Sequence, residues 1–164
     1  MSEKPEESAE KRALGRMARY CAQQERCTQS VREKLVALEL PDDAIERIIE
    51  RLKRERYLDD ARYATYYVRD KARFNSWGPS KLRFMLRSKR IDEDIINEAL
   101  SNIDDEAHTA QLENLLRRKL RTSRAADIQK LKAQLLRLGL SHGYSYDDTY
   151  RLVAKLVKDN SETK

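Results

Sequence analysis

A polar start, an apolar stripe and an acidic cap occupy residues Ser30 to Asp43, and the same pattern returns about fifty residues later, then once more. Ser30-Val31-Arg32-Glu33-Lys34-Leu35 closes at Leu40 before Asp42-Asp43. It is answered by Lys81-Leu82-Arg83-Phe84-Met85-Leu86, which closes at Ile91 before Asp92-Glu93-Asp94. A looser third copy runs from Lys130-Leu131 through Leu135 to Leu140 and on to Tyr146-Asp147-Asp148. Leu35, Leu86 and Leu135 each stand five residues before the closing apolar residue of their copy. A period of this length marks tandem helical units, which stack to build a core that none has alone. Such arrays usually bind extended partners instead of catalysing a reaction.

The helical signals fill in around this frame. Ile45, Ile48, Ile49 and Leu52 keep the spacing of a buried helical stripe, and Asp43 with Glu46 has the spacing of a capping box after Pro41. Asp59-Asp60 open a helix carrying Ala61, Ala64, Tyr67, Val68 and Ala72; Gly78-Pro79-Ser80 ends one helix and starts the next. Asp104-Asp105 cap a helix with Leu112, Leu115 and Leu116, a further helix is expected from about Ala125 to Leu138, and Gly139 and Gly143 flank a longer turn. Ser145 with Asp148 is a second capping-box pair. No strand-like alternation of useful length appears. The expected fold is all-α, an elongated array of three tandem three-helix repeats: a disordered tail over residues 1–10, then units over 11–56, 57–103 and 104–160.

Composition suits that shape. Hydrophobic residues make up 40% of the chain against 38% charged, low for a sphere and adequate for an array with much surface. With 4 Gly and 3 Pro, few breaks interrupt the helices. The net charge of +6 is unevenly spread. Residues 61–90 hold nine Lys/Arg and one acid, 91–116 hold eight acids and no Lys/Arg, and 117–137 hold eight bases and one acid. Such blocks are either solvated helix faces or a means of steering a charged partner. Cys21 and Cys27 have no His nearby and fit no zinc spacing, so both are expected as reduced thiols. No run approaches membrane-spanning length and the N-terminus has no apolar leader, so a soluble, cytoplasmic protein is expected.

The most specific run is Tyr57-Leu58-Asp59-Asp60-x-Arg62-Tyr63-Ala64-x-x-Tyr67-Val68, followed by Trp77-Gly78-Pro79-x-Lys81-Leu82 and Ile91-Asp92. It resembles the central signature of the RecX family of bacterial recombination regulators. Ser30-x-x-Glu33-Lys34-Leu35 is similar to that family's first repeat, and Lys132-x-Gln134-x-Leu136-Arg137-x-Gly139 to its third, so the resemblance covers about residues 13 to 157. The chain departs from the pattern at Trp77, where Lys or Tyr is more usual, and at Glu39 and Arg90, where Gly is usual near helix ends. The resemblance implies a protein that binds RecA recombinase and lies along its filament on single-stranded DNA; a monomer is expected. There it would mostly inhibit ATP hydrolysis, strand exchange and co-protease activity, with weak direct DNA binding possible.

Candidate contact residues follow from the charge pattern. Arg62, Arg69 and Arg73 form one row; Lys81, Arg83, Arg87 and Arg90 form another, in which the 83, 87, 90 spacing puts three guanidinium groups on one helix face. Arg117 and Arg118, with Lys119 and Arg121, form a second patch. Each meets RecA or phosphate, or is simply solvated. Trp77 beside the first cluster either packs its turn or stacks on a partner. Tyr57, Leu58, Tyr63, Tyr67 and Val68 read as the seam between the first two units, and Asp59 and Asp60 as helix caps. No nucleophile–base pair, P-loop or metal-ligand cluster is present, so neither catalysis nor a cofactor or metal is expected. Two other classes stay open: a direct nucleic-acid binder, against which the acidic block 91–116 counts, and a scaffold unrelated to recombination.

Overall fold

The computed structural model describes residues 4–162. Nine helices and no strands are found among them: α1 Pro5–Gln23, α2 Thr28–Ala37, α3 Asp42–Arg54, α4 Asp60–Asn75, α5 Pro79–Ser88, α6 Glu93–Ser101, α7 Asp105–Thr122, α8 Ile128–Ser141 and α9 Tyr146–Glu162. Helices pack within the triplets α1–α3, α4–α6 and α7–α9, and α4 against α7 links the second triplet to the third. Each triplet has its own core, centred on Leu35, Ile48 and Leu52, on Leu82, Leu86 and Ile96, and on Leu112, Leu116, Leu135 and Leu156. The accessible surface is 11127 Å² for a 19.3 kDa chain. A compact monomer of that mass exposes about 8,500 Å². The excess is what an elongated array requires.

Several local expectations are corrected. Helix α1 begins at Pro5, within the stretch expected to be a disordered tail. Pro at the first helical position pre-sets φ, and Glu6 and Glu7 complement the positive helix end. Glu10 then ties the helix to α3 through Arg47 at 2.8 Å. Residues 1–3 of that tail lie outside the described residues. Asp43 and Glu46 do not form a capping box: Pro41 is the N-cap of α3, and Glu46 pairs with Arg32 of α2. Helix α8 starts later than expected, at Ile128, because the Asp127 carboxylate accepts from the Lys130 amide at 2.8 Å. Gly139 lies inside α8, where its missing side chain admits Thr149 of α9.

The third copy of the repeat is out of register with the others. Leu35, Leu86 and Leu135 are all fully buried, Leu40's counterpart Ile91 is buried too, and Leu40 itself is partly buried against the first core. Leu140, however, is 43% exposed, and its place is taken by Tyr144, which is 2% exposed. Helix α8 has 14 residues where α2 and α5 have 10. Four extra residues are about one helical turn, so the chain leaves on the same face and the closing residue moves along by the same amount.

The joints between units differ in kind. Between the first and second, Asp59 caps its own helix by accepting from the Arg62 amide, while the Asp60 carboxylate turns back to α2 and accepts from the Thr28 amide at 2.8 Å and its hydroxyl at 2.9 Å. The same seam exchanges core residues: Leu58 is buried in the first core and Cys27 in the second. The two cysteines are thus free thiols buried in different cores. Between the second and third units main-chain hydrogen bonds join the side-chain contacts of Arg118 and His142 with Ser76. The Gly78 amide donates to the His142 carbonyl at 2.7 Å and the Ser80 amide to the Gly143 carbonyl at 3.0 Å. The end of α8 therefore meets the start of α5 head to tail, and carbonyls without a helical partner satisfy amides without one. Glycine is required on both sides. A Cβ on Gly78 would lie 2.6 Å from the Gly143 carbonyl oxygen, and one on Gly143 would lie 2.4 Å from the Lys81 amide nitrogen.

Candidate functional site

The joint between the second and third units gathers arginines from two helices. Gln111, Asn114, Arg118 and Arg121 recur at 3, 4 and 3 residues along α7 and so share one face. Together with Arg117 and with Arg73 and Ser76 from the end of α4, they line a hollow of about 360 Å³. Ser76 is buried in the left-handed turn that ends α4, and its hydroxyl accepts from the Arg118 guanidinium at 3.1 Å, which fixes that side chain to the joint. Arg117 pairs with Glu113 at 2.8 Å. Arg73, Arg118 and Arg121 have no carboxylate partner among the described residues. Guanidinium groups converging without counter-charge make a receptor for carboxylate or phosphate oxygens.

The other predicted contact residues are placed differently. Arg62 donates to Glu25 at 2.7 Å and to the Arg56 carbonyl at 3.2 Å, so it clasps the first unit to the second. Arg69 lines an apolar slot beside the hollow. Arg83 and Arg87 both donate to Glu93, and Arg83 also to Asn97 at 2.8 Å. Arg87 holds the Glu93 carboxyl below the usual carboxylate range. The basic block on α5 and the acidic block on α6 thus neutralise each other in part. Arg90 does not extend that row, because α5 stops at Ser88 and Arg90 sits at φ 56° in the turn beyond. Trp77 is half-buried against Tyr67, with the Lys71 and Lys81 ammonium groups 5.5 and 4.8 Å from its ring centre. Of the twelve residues read from sequence, Arg73, Arg117, Arg118 and Arg121 meet in one place; Gln111, Asn114 and Ser76 complete it. The 111, 114, 118, 121 spacing was the signal available for the first two of these.

Two further surfaces carry charge. On the other side of α4, a groove of about 440 Å³ is lined by Tyr20, Tyr63, Tyr66 and Tyr67 with Lys71 and Lys89. Burial pushes the Tyr63 and Tyr67 hydroxyls up from their ordinary range, so these rings stay neutral. A wider depression between α1 and α2 is lined by Arg16, Arg19 and Lys34 beside Leu38. Among the described residues no group of His, Cys, Asp and Glu is placed to hold a metal ion, and no helix is long and apolar enough to cross a membrane.

The molecule is a helical-repeat array with a basic joint, and comparison with known proteins gives its kind. Residues 13–52 match the first three-helix domain of RecX and residues 59–100 the second. The regulatory protein RecX of Clostridium perfringens (strain SM101 / Type A) is 36% identical over 138 residues, covering 80% of this chain and 62% of that protein. The RecX of Bacillus pumilus is 34% identical over 137 residues, covering 81% of this chain and 52% of its relative. The chain therefore spans less than two thirds of the length of these curated relatives. A crystal structure of regulatory protein RecX superposes with a TM-score of 0.80 at 25% identity, over 94% of this chain and 73% of that one. RecX from Lactobacillus salivarius does so with a TM-score of 0.72 at 27% identity, over 91% and 97%. The chain belongs to the RecX family of regulatory proteins.

Proposed function

We propose that this chain, as a monomer, binds RecA recombinase and its filament on single-stranded DNA and damps ATP hydrolysis, strand exchange and co-protease activity. The observation that carries the reading is the hollow where Arg73, Arg118 and Arg121 converge without carboxylate partners at the joint of an elongated array. An array of this kind reaches more than one subunit of a helical polymer, and unpaired guanidinium groups meet an acidic protein face. Membership of a family of regulatory proteins supports the same reading.

The test is DNA-dependent ATP hydrolysis by RecA on single-stranded DNA, titrated with this protein below stoichiometric ratio. Dose-dependent inhibition is expected. It should weaken about tenfold or more in Arg118→Glu with Arg121→Glu. Arg83→Glu with Arg87→Glu should matter less, because Glu93 already engages both side chains. Absence of inhibition at every ratio would sink the reading. The groove of Tyr20, Tyr63, Tyr66 and Tyr67 with Lys71 and Lys89 favours a second reading, direct binding of a nucleic-acid strand. Tight, steeply salt-dependent binding to bare DNA without inhibition of RecA would establish that one instead.

A further inference from the structure

Beside the arginine hollow lies an apolar slot of about 230 Å³, and Arg73 and Gln111 belong to the lining of both. Its walls are Val68 and Ala72 of α4, Ala99 and Ile103 at the end of the second unit, and Ala107 at the start of α7. The volume falls below the roughly 300 Å³ at which small-molecule sites begin, so it suits one inserted side chain and not a cofactor. No Phe, Tyr or Trp lines it, and the His108 ring at its edge already faces Tyr144 at 5.0 Å, so it has no platform for stacking a base. Arg69 stands in the same lining, without a carboxylate partner among the described residues. The single acid there, Asp104, accepts from the Ala107 amide as the cap of α7.

We propose that slot and hollow form one docking groove for an acidic protein segment, which inserts an aliphatic or aromatic side chain between α4 and α7 and places flanking carboxylates on Arg69, Arg73, Arg118 and Arg121. The proposal rests on the filament-regulator reading and names the chemistry of the partner segment at that site. The apolar anchor supplies the buried contact and the rim arginines supply charge complementarity, the usual division at a protein interface. A phosphodiester strand would use the arginines and leave the slot empty. A protein segment uses both, and the sharing of Arg73 and Gln111 places the two features side by side.

The experiment measures binding of the fluorescently labelled full chain to RecA filaments on single-stranded DNA, beside its binding to the bare strand. Ala107→Leu fills the slot and leaves every charge in place. It is expected to weaken filament binding about tenfold or more, with helix content and bare-strand binding unchanged. Thr65→Leu, on the opposite wall, repeats the test should Ala107→Leu lose its fold. A benzophenone side chain at position 107 is expected to crosslink to a RecA segment in which acids flank an apolar residue. Filament binding that survives Ala107→Leu but falls in Arg73→Glu would overturn the groove and keep the function. An equal fall in filament and bare-strand binding by Arg73→Glu would assign the arginines to phosphate and overturn it too. A parent chain that does not bind the filament would end both.

Discussion

Among the described residues five hold left-handed backbone, each in a turn that ends a helix, and glycine occupies one of these positions. They are Glu39, Arg56, Ser76, Arg90 and Gly143, with φ of 61°, 65°, 54°, 56° and 94°. Each is followed by an apolar residue: Leu40, Tyr57, Trp77, Ile91 and Tyr144. The Tyr57, Ile91 and Tyr144 amides reach back five residues to a helix carbonyl, the pattern of a Schellman end, and the Trp77 amide reaches back six, to Lys71. A side chain in this conformation costs about 1–2 kcal/mol. Glu39→Gly and Arg90→Gly should therefore each raise stability, by about 0.5–1 kcal/mol after the entropy glycine adds to the unfolded chain, as read from urea midpoints. Tyr144 is the other residue with a clear consequence. Its hydroxyl is buried without a hydrogen-bond partner among the described residues, and burial pushes it up to about 12. Tyr144→Phe should stabilise the protein by about 1 kcal/mol at neutral pH. The folded hydroxyl ionises later than the unfolded one, whose pKa is about 10. Its contribution is thus whole below pH 10 and is lost as pH rises toward 12, so the variant should lose less stability over that window than the parent.

At the scale of elements, much was legible because local chemistry decides it. The buried stripe of α3 and the Gly-Pro opening of α5 follow from spacing and turn chemistry, whereas of the residues read as the first seam Leu58 packs in the first core, Tyr67 and Val68 pack in the second, and Tyr57 is exposed. Sequence alone could not say that Asp60 caps α2 and not α4, since that partner lies 32 residues away. Nor could it register the third copy, because an added helical turn in α8 preserves the face while moving the closing residue from Leu140 to Tyr144. The site suffered from the same limit. Spacing placed Arg83 and Arg87 on one face of α5, but their partner Glu93 lies on the next helix, and only packing brings Arg73 to the α7 arginines. Asp60→Ala should cost about 1–2 kcal/mol and loosen the first unit, seen as faster amide exchange across α2. Gly143→Ala forces a Cβ onto the α5 backbone from a left-handed conformation. It should cost at least about 3 kcal/mol, checked by the same unfolding measurement.

Across the whole molecule, charge is arranged by unit and not merely in sum. Arg73, Arg118 and Arg121 at the second joint have no carboxylate partner among the described residues, whereas Arg117 pairs with Glu113, the bases of α5 face the acid of α6 and Arg62 is held by Glu25. Association with an acidic partner should therefore quicken at low salt chiefly through this joint. Stopped-flow association rates measured between low and physiological salt should show a flatter slope for Arg118→Glu with Arg121→Glu than for Arg83→Glu with Arg87→Glu.

The head-to-tail meeting of α8 and α5 has a mechanical meaning. Beside the Arg118–Ser76 contact this joint has main-chain hydrogen bonds and interlocked glycines, which have no rotamers to change, so the second and third units turn as one lever. The first joint shares the core residues Leu58 and Cys27 but takes its polar ties from carboxylates and an arginine, groups that swing about single bonds. Strain imposed along the rod by a curved surface is thus taken up near Asp60, and the first unit is the end that adjusts while the other two keep their shape.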